Sequence, residues 1–267
     1  MSDILIPSSG DFEAWPKGSA CCVAVDWDGT CKDTMTAKWQ RGFNLAITRI
    51  WPELAPHQGA IDAVCHRVNL VDEATAGVQR FVSLKIMMAE WAALGLPTPD
   101  LAPFFRAVDD VEARGEQHGR VTYARLQAEY GYDDSPLRWS DLSDEIIADS
   151  VREAVVFSGC REALEGVGDR ADLLVVSASK TEAVRDDLIR DGMAHLFRAL
   201  LAQDFLPKPG TLAGLKRRYG RVLFVGDTNH DAEAATSAGV DFYRVVTGDE
   251  AASWAAAPAV LEEFLGG

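Results

Sequence analysis

The sequence predicts an α/β fold: a Rossmann-like parallel sheet core covered by helices, with an all-helical segment inserted after the first strand. Three observations predict it. A short apolar run, Cys-Val-Ala-Val at 22–25, ends in two acids, Asp26 and Asp28. Helical periodicity without a strand signal then occupies residues 31 to 154, and from about 157 short apolar runs alternate with amphipathic segments. Such alternation argues for a parallel sheet with helices on both faces. The expected division is a core from residues 1–32 and 155–267 and a helical cap from 33–154.

Taken in order, residues 1 to 19 form a turn-rich lead-in containing Pro-Ser-Ser-Gly and Trp-Pro-Lys-Gly. The run at 22–26 reads as a buried strand that delivers acids to a sheet edge, and Gly29 after Asp28 reads as a turn. Met35, Trp39, Phe43, Ile47 and Ile50 recur at steps of three and four, predicting a helix that ends before Pro52. Ile61, Val64, Cys65, Val68 and Val71 form a second face, and Phe81, Leu84, Met88 and Trp91 a third, on a segment from about 78 to 94. Shorter helices are expected near 101–113, 121–130 and 141–155. Leu173 to Ser177 reads as a fully buried strand, followed by a helix near 180–191, a strand near 199–202 and a helix after Pro209. The strand Val222–Gly226, a helix near 230–238, a strand near 240–246 and a helical tail complete the chain.

The 267 residues are 48% hydrophobic and 25% charged, with a formal net charge of −15. That charge disfavours sequence-independent binding to nucleic acid or to an anionic membrane. Five cysteines, an odd number without zinc-like spacing, read as reduced thiols of a cytoplasmic protein. Neither an export signal nor a run of membrane-spanning length is expected.

Ligands of open parallel sheets sit beyond the carboxyl ends of the strands, and here those ends carry Asp26 and Asp28, Ser177, and Asp227. Adjacent carboxylates repel, so keeping Asp26 and Asp28 both ionised calls for a cation, most simply a hard divalent ion. Ser179-Lys180-Thr181-Glu182 fits a capping box, leaving Ser177 either to face a ligand or to serve as a second cap. Pro209 predicts that Lys208 is held extended just before a helix, where it is either a solvated linker lysine or a bridge between carboxylate and phosphate. Asp231 falls in the first turn of a helix capped by Thr228, and either favours the helix dipole or joins Asp227. An insert leaving the sheet directly after Asp28 is placed to act as a lid.

In chain order, Asp26-Trp27-Asp28-Gly29-Thr30, Ser177 after Leu-Leu-Val-Val, Lys208, and Gly226-Asp227 with Asp231 resemble the motifs of the haloacid dehalogenase (HAD) superfamily. The resemblance covers the opening strand and about 157–246 and implies a HAD-type core with a C1-type helical cap. It further implies that Asp26 is the nucleophile and Asp28 the general acid and base. Magnesium would be held by the Asp26 carboxylate, the Asp28 carbonyl and Asp227. Asp231 would then be a ligand through water or a support for Lys208, while Ser177 and Lys208 bind the phosphoryl group.

The implied activity is a magnesium-dependent phosphatase for a small phosphorylated metabolite. Dehalogenases of the superfamily lack the second acid, so Asp28 argues for phosphoryl chemistry. A phosphomutase is the nearest alternative, with Thr30 leaning toward hydrolysis, and a non-catalytic binding protein of the same fold is the more distant one. Phosphonate-cleaving relatives use a cap lysine, for which Lys85 stands as the candidate against a plain snorkelling reading. Lys32, Arg41 and His230 are weaker candidates for specificity, each reading first as a solvated surface residue or a helix-end partner.

Overall fold

The structure, a computed structural model, describes residues 4–72, 74–76, 78–116 and 118–267. The chain divides into two units, Met1–Thr34 with Ala154–Gly267, and Met35–Glu153.

The first unit is built on five parallel strands: β1 (Cys21–Val25), β2 (Asp172–Val176), β3 (Ala199–Leu201), β4 (Arg221–Gly226) and β5 (Asp241–Arg244), in the order β3-β2-β1-β4-β5. The expected α/β Rossmann-like core is thus present. β1 and β2 are buried at every position because helices cover both faces, which is why β1 and Leu173–Val176 of β2 read as apolar runs. Alternate side chains serve opposite faces. Val23, Val25, Leu173 and Val175 pack with Leu164, Leu188, Trp254 and Leu261. Cys22, Ala24, Leu174 and Val176 pack with Leu212, Leu215, Phe224 and Ala235.

Val25 pairs with both Val175 and Val225, so β1, β2 and β4 end level. After β1 the sheet grows to one side through β2 and β3, then to the other through β4 and β5. The strand order reverses between β1 and β4, the switch point beyond whose carboxyl ends ligands of open α/β sheets bind. At the opposite edge a fully buried Asp172 accepts from Tyr219 Oη (2.8 Å) and Gly18 N (2.9 Å), and Trp15 Nε1 donates to Tyr219 Oη (2.9 Å), tying the lead-in to the sheet.

Two expectations are corrected here. The helix Thr181–Arg190 is not started by a capping box: Lys180 is its N-cap, without a side-chain bond, and Ser179 lies outside it. Lys208 is the first residue of the helix Lys208–Tyr219, and the extended residue is Pro207. The steric bias of Pro209 is outweighed there by closure of the first turn, Thr211 N to Pro207 O at 3.0 Å.

Among its described residues the second unit holds helices and no strand, with helices Asn44–Ile50, Gln58–His66, Arg80–Ala93, Ala102–Arg114, Arg120–Tyr130 and Ser135–Ser150 among its elements. The first two expected helices carry wider π-helical stretches at Ala37–Phe43 and Arg67–Val71. Within the first, Gly42 lies against Ile147, where an added Cβ would come within 2.2 Å of that side chain. Phe43, Phe81, Phe104, Tyr123 and Trp139 form an aromatic centre, with Phe81 and Tyr123 rings 4.6 Å apart and Trp139 Nε1 donating to Phe43 O at 3.2 Å. Among the described residues no helix is long and apolar enough to cross a membrane.

Candidate active site at the carboxyl edge of the sheet

β1 continues its ladder one residue past its end, Asp26 N donating to Val225 O at 2.9 Å, which holds the Asp26 side chain at the sheet edge. The chain then turns back on itself through Cys31 N to Trp27 O (2.9 Å) and Gly29 N to Lys32 O (2.9 Å). Gly29 sits at φ 77°, a conformation that glycine supplies without steric cost. Trp27 goes into the apolar face of the sheet, edge-on to Phe197. Asp28 accepts from Ser179 Oγ and from Thr34 Oγ1.

Asp26 is 5% exposed, and its Oδ2 lies 2.9 Å from Lys208 Nζ. Its Oδ1 is buried without a hydrogen-bond partner. Lys208 Nζ also donates to Asp231 Oδ1 at 2.5 Å. The other Asp231 oxygen accepts from Thr228 N (3.1 Å) and Thr228 Oγ1 (2.7 Å), and Asp231 N donates back to Thr228 Oγ1, so the expected Thr228 cap forms as a reciprocal box. Asp227 Oδ1 accepts from Thr30 Oγ1 at 2.7 Å. Arg244 donates to Asp227 O (3.3 Å) and Asn229 Oδ1 (2.7 Å), bracing the loop from behind. Gly226 leaves the room this requires, since a Cβ there would lie 2.7 Å from Asp231 Cβ.

Asp26, Asp227 and Asp231 each offer an oxygen within 4.8 Å of the others. Burial pushes Asp26 up to about 8; Lys208 opposes the rise, while Asp231 and Asp227 add to it. Burial also pushes Asp227 up to about 6, with Asp231 adding and the Thr30 hydrogen bond opposing. Burial acts to lower Lys208, but Asp26 and Asp231 outweigh it and the ammonium is held more firmly than usual. With all three carboxylates ionised and one ammonium among them, two negative charges are left over, and it is this state that burial resists. A divalent cation matches that deficit, and the orphaned Asp26 Oδ1 gives it a ligand. Both Asp231 oxygens are already engaged, so Asp26 and Asp227 are the side chains of the three that could hold an ion, while Asp231 pairs with Lys208.

Ser177 lies just beyond β2, its N donating to Leu201 O (3.1 Å) and its Oγ accepting from Ser179 N (3.2 Å). The sequence placed Asp26, Asp28, Ser177, Lys208, Asp227 and Asp231 at these strand and helix ends, but it assigned Ser179 to a cap. Ser179 and Thr34 are the residues it missed, because a serine that begins a helix and one that binds a carboxylate look alike in a single chain. Lys85 pairs with Asp109 in the helical unit. Arg41 pairs with Glu153 at 2.6 Å, and His230 is exposed, 3.7 Å from Glu233. Of the two readings of Lys32, the solvated one fails, since the residue is fully buried, and the helix-end one holds. Its ammonium is accommodated by Asp187 and Asp191, on and just after the helix Thr181–Arg190, a pairing that no local pattern announces.

Residues 108–245 match the family profile described as haloacid dehalogenase-like hydrolase. The chain belongs to that family. A comparison with curated protein sequences gives no match. Among solved structures, a haloacid dehalogenase-like protein of unknown function from Agrobacterium tumefaciens is 14% identical and aligns with a TM-score of 0.54 over 88% of this chain and 89% of its own. A haloacid dehalogenase-like family hydrolase from Xanthomonas campestris is 13% identical, with a TM-score of 0.48 over 99% of each chain. The L-2-haloacid dehalogenase from Xanthobacter autotrophicus is 17% identical, with a TM-score of 0.44 over 85% of this chain and 77% of its own.

Proposed function

We propose that this chain is a magnesium-dependent phosphatase that hydrolyses a small phosphorylated metabolite through an aspartyl phosphate on Asp26. The observation that carries the reading is the division of labour on that carboxylate: Oδ2 rests on Lys208, and Oδ1 is buried and unpartnered in a cluster with Asp227. When bound between Asp26 and Asp227, with the Asp28 carbonyl, magnesium would supply charge neutralisation for the trianionic group.

The chain's own residues perform the rest. An Asp26 carboxylate oxygen attacks phosphorus, and the bond from phosphorus to the leaving oxygen breaks. Asp28, oriented by Ser179 and Thr34, gives its proton to that oxygen. Water then attacks the phosphorus of the aspartyl phosphate as Asp28 takes the water proton, restoring Asp26 and releasing phosphate. Lys208 and Ser177 hold the phosphoryl oxygens, with Asp231 keeping Lys208 aimed. A halide leaves without needing a proton whereas an alkoxide does not, so the hydroxyl-oriented Asp28 favours phosphate over carbon–halogen substrates. The helical unit, entered after Thr34 and left before Ala154, acts in this reading as the cap that selects the metabolite.

Phosphate release from a panel of sugar phosphates, phosphoglycolate, nucleotides and phosphorylated amino-acid derivatives tests the proposal. Magnesium-dependent release abolished in Asp26→Asn is expected. Isomerisation without phosphate release would make the chain a mutase instead, and wild-type rates in Asp26→Asn would refute the site.

A further inference from the structure

Lys32 lies on the strand-end turn yet belongs to none of the roles above. It is 0% exposed, with Nζ 2.7 Å from Asp191 Oδ2 and 3.1 Å from Asp187 Oδ1. Arg190 Nη1 also reaches Asp187 Oδ1 at 2.6 Å, and Arg161 donates to the carbonyls of Asp191 and Gly192, so both acids are fixed in place. A buried ammonium is expensive to desolvate, and an apolar side chain of similar length would fill the same volume. Its retention calls for a gain other than packing.

The main chain of Lys32 shows where that gain falls. Lys32 O accepts from Gly29 N (2.9 Å) and Thr34 N (2.8 Å), and Lys32 N donates to Trp27 O (3.2 Å), so the turn that carries Asp28 is wound around this residue. Thr34, set by the Lys32 carbonyl, donates to Asp28 Oδ1, and Ser179 donates to Oδ2. Ser179 shortly precedes the helix Thr181–Arg190; Asp187 lies within it and Asp191 follows it. One helical segment thus grips the turn twice, through Ser179 on the Asp28 carboxylate and through the two acids on Lys32.

We propose that Lys32 is a positioning residue that sets, through the turn and Thr34, where the Asp28 carboxylate stands relative to the leaving oxygen. This rests on the phosphatase reading, in which Asp28 is the proton donor. Phenolate leaves phosphorus less readily than 4-nitrophenolate and depends more on a proton donor. The ratio of kcat/KM for phenyl phosphate to that for 4-nitrophenyl phosphate therefore reports the donor, whereas general loosening of the fold lowers both rates alike.

The ratio is measured for the wild type, Asp28→Asn, Lys32→Met, Lys32→Arg and Asp191→Asn, with inhibition by inorganic phosphate as a measure of the phosphate cradle. Asp28→Asn is expected to lower the ratio about a hundredfold and Lys32→Met about tenfold, with phosphate inhibition unchanged and Lys32→Arg recovering most of the loss. Asp191→Asn leaves Lys32 on Asp187 and is expected to lower the ratio about threefold; it carries the test if Lys32→Met does not fold. A shifted ratio in Asp28→Asn with wild-type ratios in the folded Lys32→Met or Asp191→Asn protein overturns the role of Lys32 alone. A wild-type ratio in Asp28→Asn overturns the reading of Asp28, and the role of Lys32 with it.

Discussion

Adding magnesium to the metal-free protein should raise its thermal stability strongly at alkaline pH and hardly at all in mild acid. Without a cation, burial holds Asp26 up to about 8 and Asp227 up to about 6. Each raised carboxylate contributes stability that is fully present below the ordinary value near 4 and is lost as pH rises through its folded value. Magnesium competes with the same protons. At about pH 8.5 both groups are largely ionised, and magnesium at about 100 times its dissociation constant stabilises by about 2.7 kcal/mol, or a Tm rise of about 5–10 °C. At about pH 5.5 magnesium must displace the proton of Asp26 and, in part, that of Asp227, which weakens its binding by more than about a hundredfold. The same magnesium then falls below its dissociation constant and Tm barely moves. Calorimetry of chelator-treated protein at the two pH values checks this, with Asp26→Asn expected to flatten the pH dependence. Equal shifts at both pH values would refute the assignment of Asp26 as a buried, proton-competing ligand.

Three substitutions probe the remaining parts of the site. Lys208→Met leaves Asp26 and Asp231 without their shared ammonium; it should lower stability by about 3–5 kcal/mol, seen in denaturant titration, and kcat/KM by about a hundredfold or more. Gly226→Ala drives a Cβ into Asp231, which is tied to Lys208 and Thr228 and cannot yield; a stability loss of about 1–3 kcal/mol with weakened magnesium binding by calorimetry is expected. Ser179→Ala removes a hydroxyl that donates to Asp28 and should lower kcat about tenfold while the melting temperature stays near that of the wild type.

Strand positions, strand-end acids and the helical insert are legible in the sequence because each is written locally. A strand covered on both faces must be apolar along its length, so Cys22 to Val25 and Leu173 to Val176 announce themselves, and the residues that follow them must lie at a sheet edge. The cap made by Thr228 and Asp231 is likewise a relation between residues three apart. Tertiary structure alone decided which of two local meanings a residue takes. Ser179 could cap a helix or reach Asp28, and the choice depends on bringing residues 28 and 179 together. Lys32 reads as either a solvated residue or a helix-end partner until residues 187 and 191 arrive beside it, and the buried ammonium is tolerable only because those carboxylates do. The free oxygen of Asp26 and the fully engaged oxygens of Asp231 follow the same rule: carboxylates identical in sequence part ways according to which donors the sheet order places within reach.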